Sequence, residues 1–446
     1  METSSANSAA ILSSKTASIG FRARRRVAWR ILPLAFLLYV ISYIDRVNVS
    51  FAALRMNADL GFGDRVFGLG VGIFYVGYVL LEIPGSIMVE RWSARKWIAR
   101  IMISWGLVTI LTGFVHSAGQ FYAVRLFLGV AEASFLPGMI VYLSHWFRLR
   151  ERSRAIACLY AAVPTASLLG SPLAGWLLGV HWGGLAGWRW LFIVEGAPAI
   201  VVGIVTFFYM TDWPAQARWL PPEEREWLAN ELQAELRAKK KIRDYTILQA
   251  FCDRRVLFLM AAWFLALAGS LGNVYWIPTF VKRLSGFSDR SVTTLLLIPA
   301  LVGIAGTLLN GWHSDKSGER RWHAAGPLLA AGLMYGLLLT SSQHTFLALS
   351  ILLLASGFFY AFLPVCWSIP TMIFSGAAAA ATFGLINSIG QLGGLAGPYL
   401  IGLLNDRTHS LAASFGFISF AYIVAGSLLL RLKIRNPVDT GTGESS

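Results

Sequence analysis

Apolar positions along this chain come in long unbroken blocks separated by short polar turns, and the blocks are longer than the core helices of a soluble fold require. A helix crossing a bilayer needs about 20 apolar residues, and the sequence supplies about twelve such stretches. They lie at 31–54, 66–89, 98–116, 120–146, 154–179, 188–210, 256–281, 291–312, 324–341, 345–368, 377–404 and 410–431. Two are interrupted: the first contains Asp45 and Arg46, and the eleventh is rich in glycine. The pattern predicts an all-α polytopic membrane protein with twelve transmembrane helices.

One long segment breaks the pattern. Residues 211–255 open with Asp212-Trp213-Pro214, and Pro221-Pro222-Glu223-Glu224 carries the prolines and acidic first turn of a helix start. A Glu-rich and then Lys-rich helix is expected through Lys241, as a solvated connector between two six-span halves. The expected organisation is a tail over 1–29, a six-helix bundle over 30–210, a linker helix over 211–255, a second bundle over 256–432 and a tail over 433–446.

An internal repeat supports the two halves. Glu90-Arg91-Trp92-Ser93-Ala94-Arg95-Lys96-Trp97 aligns with Asp315-Lys316-Ser317-Gly318-Glu319-Arg320-Arg321-Trp322 at an offset of 225. Phe135-Leu136-Pro137 aligns with Phe362-Leu363-Pro364 at 227, and Pro172 with Pro398 at 226. Three matches in order and at nearly one offset indicate duplication. Parallel six-span repeats are related by an axis along the membrane normal, with a site at the midplane between them. Glycine and proline in the fifth span (Gly170, Pro172, Gly175, Gly179) and the eleventh (Gly390, Gly393, Gly394, Gly397, Pro398) suit close, sliding helix contacts.

Composition agrees. Hydrophobic residues make up 56% of the chain and charged residues 14%, against about 25% charged in soluble proteins, and the mean hydropathy is +0.59. Soluble, disordered, collagenous and nucleic-acid-binding classes are excluded. The net charge of +15 points to positively charged cytoplasmic loops. Basic clusters stand at Arg22, Arg24, Arg25, Arg26 and Arg30, at Arg91, Arg95, Lys96 and Arg100, and over 148–154. The opposite loops near 54–65, 116–120 and 341–344 carry little or balanced charge, so both termini are expected in the cytoplasm. Residues 1–20 lack a long apolar core and read as a tail rather than a cleavable signal. Cys158, Cys252 and Cys366 are too scattered for a disulfide framework or a metal cluster. With no HExxH or GxSxG, no enzyme chemistry and no cofactor are expected.

Charged side chains inside spans cost about 2.5–3.5 kcal/mol each at the helix centre, so each needs a reason. The first half holds Asp45, Arg46, Arg125 and Glu132, with Glu82 and Glu195 nearer span ends. In the second half the positions matching Arg125 and Glu132 are Leu352 and Phe359, and the polar groups are neutral: Asn273, Asn387 and Gln391. Such asymmetry favours a task assigned to one half over ion pairs that a duplication would have copied. Arg125 and Glu132, seven apart, share a helix face about 10 Å apart. Asp45 and Arg46 are adjacent and point about 100° apart, so each needs a partner elsewhere. Arginines matched to carboxylates, with acids able to protonate, suit a device that binds an anion and a proton. The competing reading is an interhelical network fixing the bundle, and Glu82 and Glu195 read as structural hydrogen-bond partners. Tyr43 and Tyr78 fit cavity lining and ordinary packing equally well, and His145 reads as interfacial.

Several of these residues fall in motifs. Tyr43-Ile44-Asp45-Arg46-Val47-Asn48, Arg125-Leu126-Phe127-Leu128-Gly129-Val130-Ala131-Glu132-Ala133 and Gly187-Trp188-Arg189-Trp190-Leu191-Phe192-Ile193-Val194-Glu195-Gly196 resemble the anion:cation symporter family of the major facilitator superfamily. So do Ala217-Arg218-Trp219-Leu220 with Glu223-Glu224-Arg225, and His313-Ser314-Asp315 with Gly318-Glu319-Arg320-Arg321-Trp322. The resemblance runs from about residue 28 to 432. It implies proton-coupled uptake of an organic carboxylate by alternating access, with Asp45 and Glu132 as the protonatable pair. Arg46 and Arg125 match cavity arginines, and Tyr43, Tyr78, Asn387 and Trp367 match substrate-lining positions. Glu90, Arg91, Arg95, Asp315 and Arg320 match gating motifs, although that motif normally has Asp and Gly where Glu90 and Ser93 stand. Leu80-Leu81-Glu82-Ile83-Pro84 with Glu90-Arg91 resembles the tartrate, phthalate and nicotinate branch. Few polar groups in the fifth span (Tyr160, Thr165, Ser167) disfavour a heavily hydroxylated substrate. The expected partners are a small organic anion, protons and the lipid of an inner membrane, with no nucleic acid, in a monomer. A proton-antiport exporter, an anion exchanger and a sensor are the rival readings.

Overall fold

Hydrocarbon offers the backbone no hydrogen-bond partner, so a chain this apolar must satisfy its own amides within helices or a closed barrel. The computed structural model describes residues 2–239, 253–341, 344–373 and 376–432, and every regular element among them is helical. The first half contains α1 (Glu2–Leu60), α2 (Asp64–Arg91), α3 (Ala94–Thr112), α4 (Ala118–Glu132), α5 (Phe135–Ser144), α6 (Leu149–Tyr160), α7 (Ala162–Leu177) and α8 (Gly187–Tyr209). The linker forms α9 (Pro222–Lys239). The second half contains α10 (Arg254–Ser285), α11 (Asp289–Leu295), α12 (Leu297–Ser317), α13 (Arg321–Ser341), α14 (Thr345–Ile373), α15 (Gly376–Gln391), α16 (Gly393–Thr408) and α17 (Leu411–Leu430).

Among the described residues, ten helices are long and apolar enough to cross a membrane. The expected third and eleventh spans are helical too, but differ in kind. α3 begins with Arg95, Lys96 and Arg100, and the eleventh is divided at Leu392 into α15 and α16. The two interruptions foreseen in sequence therefore behave differently: α1 runs through Asp45-Arg46 without a break, while the glycine-rich span does break.

The fourth span contains a break that its composition did not announce. α4 ends at Glu132, and Ser134 takes up a left-handed conformation at φ 67° before α5 begins. A left-handed turn costs a non-glycine residue about 1–2 kcal/mol. Local contacts offset this, since the Trp97 indole donates to Ser134 Oγ at 3.2 Å and the Ser134 hydroxyl donates to the Ala133 carbonyl.

In the first bundle α3 packs on α8, α2 on α4, and α1 on α7 and α8. In the second α13 packs on α17, α12 on α14, and α10 on α16 and α17. The bundles meet chiefly where α2 runs along α16, with α1 against α10 and α7 against α11. Because lipid is as apolar as a side chain, such contacts depend on close van der Waals approach. At the α2–α4 crossing a Cβ on Gly129 would lie 2.0 Å from the Phe74 carbonyl oxygen, and one on Gly77 would lie 2.4 Å from that of Leu126.

The linker helix is more than a solvated connector. Glu224 is buried and pairs with Arg22 at 3.5 Å and Arg26 at 3.3 Å, while Leu228 and Leu232 pack into the first bundle. Arg148 joins Glu231 at 3.2 Å and Glu151 at 2.9 Å, and Arg24 reaches Glu151 at 3.1 Å. Burial alone would raise Glu151, but these two arginines hold it below the usual carboxylate range. Lys241, with the rest of 240–252, and the tail 433–446 lie outside the described residues.

Gly129→Ala is expected to lower stability in detergent by about 1–3 kcal/mol, as overpacking does. Gly119→Ala, with nothing within 4 Å of the added methyl group, should change it by less than about 0.5 kcal/mol. Thermal unfolding of the two variants side by side checks this, and equal stability would mean the α2–α4 crossing is not tight.

Candidate functional site

With one exception, the charges buried in the first bundle are answered by groups on other helices. Asp45 is fully buried on α1. Asn48 Nδ2 donates to one of its oxygens at 2.9 Å, and Thr109 Oγ1, at 2.8 Å, and the Trp105 indole donate to the other. Three donors make a buried carboxyl tolerable where none would leave a prohibitive desolvation cost. Glu195 on α8 lies against Asn48 from the far side, within electrostatic reach of Asp45.

Arg46 turns away from Asp45 and pairs with Glu132: its Nε donates to Oε1 at 3.0 Å and its Nη2 to the same oxygen. The Ser42 hydroxyl donates to that oxygen at 3.5 Å. The guanidinium lies over the rings of Tyr78 and Phe74, 5.4 and 5.8 Å from their centroids. Glu132 is the last residue of α4, where the helix dipole is negative and disfavours an acid. The arginine therefore compensates both a charge and a helix end.

Arg125 is the exception. It is only 1% exposed, lies 5.0 Å over Phe74, and among the described residues has one hydrogen bond, Nε to the Gly70 carbonyl at 3.4 Å. Its Nη2 is buried without a hydrogen-bond partner, and among the described residues it forms no ion pair. It sits about 10 Å along α4 from Glu132.

The expected lining residues fall around these charges. Tyr43 is in hydrogen-bonding contact with Tyr360 of the second bundle, and Tyr78 is buried beside Arg46. Asn387 on α15 donates from Nδ2 to Glu82 Oε1 on α2 at 2.8 Å. Trp367 is half-buried, with its ring 4.4 Å from that of Trp263 in its own bundle. Asn273 belongs to the interior of the second bundle, bonded to Tyr335 at 2.6 Å and Ser356 at 3.4 Å. Between the bundles the Tyr75 and Tyr275 hydroxyls meet at 3.0 Å.

The motif residues close on their own bundles. Glu90 meets His145 at 2.9 Å, and that buried ring stacks on Trp213 at 3.9 Å. Ser93, standing where the motif has glycine, caps α3 by accepting from the Lys96 amide at 3.1 Å and donates to Asp212 at 2.8 Å. Arg95 donates its backbone amide to Asp212 at 2.8 Å and lies over Phe207, and Arg91 is exposed at the end of α2. Asp315 pairs with Arg320 at 2.7 Å within the second bundle. Among the described residues no ion pair joins the two motifs.

The opposite end is latched. Arg283 grips Asp64 at 2.5 and 2.6 Å, and Asp406 accepts the backbone amides of Asp64 and Arg65 at 3.0 and 2.9 Å. Arg55 reaches Asp289 at 2.5 Å, and Lys282 meets the same acid at 2.8 Å. Partly exposed pairs contribute about 0–1 kcal/mol each, so packing must carry more of the closure. A Cβ on Gly68 would lie 2.3 Å from the Pro398 carbonyl, and one on Gly402 would lie 2.3 Å from that of Asp64. In sequence the 54–65 turn showed only balanced charge; its partners in the second bundle lie more than 200 residues away. Trp105 and Thr109, the donors to Asp45, carried no sequence signal, because indoles and hydroxyls are common inside spans. Among the described residues the cluster thus holds one cation without an ion-pair partner, Arg125, and one buried ion pair, Arg46–Glu132. Among the described residues no group of acids, histidines or cysteines could hold a metal.

A family model described as Major Facilitator Superfamily matches residues 35–398 and 287–445. A protein of Agrobacterium vitis named "Putative tartrate transporter" is 43% identical over 94% of this chain and 96% of its own length. The "Quinolone resistance transporter" of Acinetobacter baumannii is 36% identical over 90% of this chain and 92% of its own. Among solved structures, a D-xylose–proton symporter superposes with a TM-score of 0.74 at 16% identity, covering 92% of this chain and 98% of that one.

Breaking one partner of a buried ion pair costs about 3–5 kcal/mol, whereas neutralising both is often nearly neutral. Arg46→Gln and Glu132→Gln should therefore each destabilise the protein more than the double variant does. Thermal unfolding of all four proteins measures the coupling, and additive effects would show that the pair is not formed.

Proposed function

The chain belongs to the Major Facilitator Superfamily and is a multi-pass membrane transporter, not an enzyme, and from that premise we propose that it takes up a small organic carboxylate together with protons. The observation that carries this reading is Arg125: a buried guanidinium with an unpartnered nitrogen and no acid of its own among the described residues. A buried unpaired charge is costly, and an anionic substrate that pairs with it would relieve the cost on arrival. Similarity to a relative named for tartrate supports a small dicarboxylate.

The Arg46–Glu132 pair supplies the coupling. Protonating Glu132 removes its claim on Arg46, which is then free for the second carboxylate of the anion. Losing that proton restores the pair and expels the anion. The form described here, paired and latched at the Asp64–Arg283 end, is then the state after release, with that end facing outward and the basic end facing the cytoplasm. Asp45, held by three donors and adjacent to Glu195, is a second proton site set back from the anion. The proton is the coupling ion, no cofactor is needed, and one chain in the inner membrane carries the whole site.

The resemblance to a quinolone resistance transporter favours a second reading, export by proton antiport. Two cavity arginines argue against cationic cargo.

Liposomes with a trapped pH dye distinguish them. External tartrate, phthalate or nicotinate should acidify the lumen, and Glu132→Gln should abolish the signal. Arg125→Ala should weaken binding of the active acid by about 2–5 kcal/mol, thirtyfold or more. A dye response to a quinolone and to none of the acids would assign the site to export instead.

A further inference from the structure

Three donors near the proposed anion path are already occupied by groups of the chain itself. Glu132 holds Arg46, Tyr360 faces Tyr43, and Glu82 holds Asn387. The last differs from the others because it joins a buried carboxyl of one bundle to an amide of the other. Asn387 needs only an acceptor, and serine and threonine hydroxyls would provide one without placing an ionisable group in a span, at about 2.5–3.5 kcal/mol at its centre. A carboxyl in that place has the chemistry of the cargo.

We infer that Glu82 is an internal stand-in for the substrate carboxylate: it holds Asn387 in the empty protein, closes the basic end there, and yields the amide when the anion arrives. The inference rests on the proposed function, in that it takes Asn387 to meet the anion. Its geometric basis is separate. Glu82 lies one turn beyond Tyr78 and two beyond Tyr75 on α2, and Tyr75 meets Tyr275 of the second bundle. Counted at 1.5 Å per residue from the latched ends of their helices, Arg46 and Glu132 lie at about 21 Å and Glu82 at about 27 Å. The Glu82–Asn387 bond is therefore nearer the basic end than the ion pair. There, among the described residues, α2 touches α15 only slightly, whereas nearer the latch it packs along α16. Asn387 stands five residues before Leu392, where the span divides into α15 and α16, and the latch residues Gly402 and Asp406 lie beyond that division on α16. Ser388 also lies against the Glu82 carboxyl, so the whole turn of α15 faces it. The bond is thus a thin closure on the exit side of the site, and its acceptor is a carboxyl that another carboxylate can replace. Glu82 is a positioning residue: it sets whether Asn387 is available.

Two measurements on the full chain in nanodiscs test this. Spin labels at Trp92→Cys and Trp322→Cys, both exposed at the basic end and one in each bundle, report the opening in a background lacking Cys158, Cys252 and Cys366. Without any acid present, Glu82→Ala should shift the distance distribution to longer values, and Glu82→Gln should shift it less. Asn387→Ala breaks the same bond from the other side and should match Glu82→Ala, so poor folding of one variant leaves the other to decide. A distribution unchanged by both would overturn the closure. Equilibrium binding of tartrate should be tighter in Glu82→Gln by about three- to tenfold, because a larger fraction of the protein is free to bind. Unchanged or weaker binding would overturn the stand-in. If the unmodified protein binds none of tartrate, phthalate and nicotinate, the proposed function fails, while the spin-label distances still decide the closure.

Discussion

The Arg46–Glu132 pair is the contact on which the arrangement of the first bundle turns. Two full charges away from water are tolerable only while they satisfy each other, so α1 and α4 must meet at one register and stay there. Every neighbouring feature serves that register. Gly77 and Gly129 let α2 and α4 touch backbone to backbone, which brings the rings of Phe74 and Tyr78 over the guanidinium. The chain turns at Ala133-Ser134 immediately after the acid, so Glu132 stands at a helix end. An acid at that end gains from a cation and loses from its absence.

The same economy explains why the second bundle is neutral where the first is charged. Duplication preserved short motifs, as in Phe135-Leu136-Pro137 and Phe362-Leu363-Pro364, but not the buried charges, nor the break at Ser134, since α14 runs unbroken through 362–364. Leu352 and Phe359 fill the positions of Arg125 and Glu132 with apolar packing. The second bundle contributes instead groups that approach the first at single points: Tyr275 to Tyr75, Tyr360 to Tyr43, Asn387 to Glu82. Those contacts cross between the bundles, while the Arg46–Glu132 ion pair lies within the first.

The two ends of the molecule differ in what their charged groups join. At the latched end, glycine-lined contact between α2 and α16 is reinforced by acids and bases from both bundles. At the basic end the motif residues make their bonds within their own bundle. Ser93 shows how a departure from the motif is accommodated: the side chain that replaces glycine caps α3 and ties it to Asp212 at the start of the linker. The linker helix then fastens to the first bundle through Glu224, Leu228 and Arg148, so it travels with that half.

Much of this was legible in one dimension because membrane insertion is a local property. Hydropathy and turn residues are sums over neighbouring positions, and they determined the helical class and the short set of buried charges, while short residue motifs carried the resemblance to the family. Adjacency alone also determined that Asp45 and Arg46 could not answer each other. Which residues answer them was decided only in three dimensions. Asp45 is held by Trp105 and Thr109, Asp64 by Arg283 and Glu82 by Asn387, across separations from 60 to 305 residues. The break at Ser134 was likewise invisible, since serine has no special preference for a left-handed turn and takes it here because Trp97 and the packing of α2 hold it. Sequence alone determined which groups are too costly to leave unpaired; tertiary structure chose their partners, because a pairing depends on distances that no local pattern encodes.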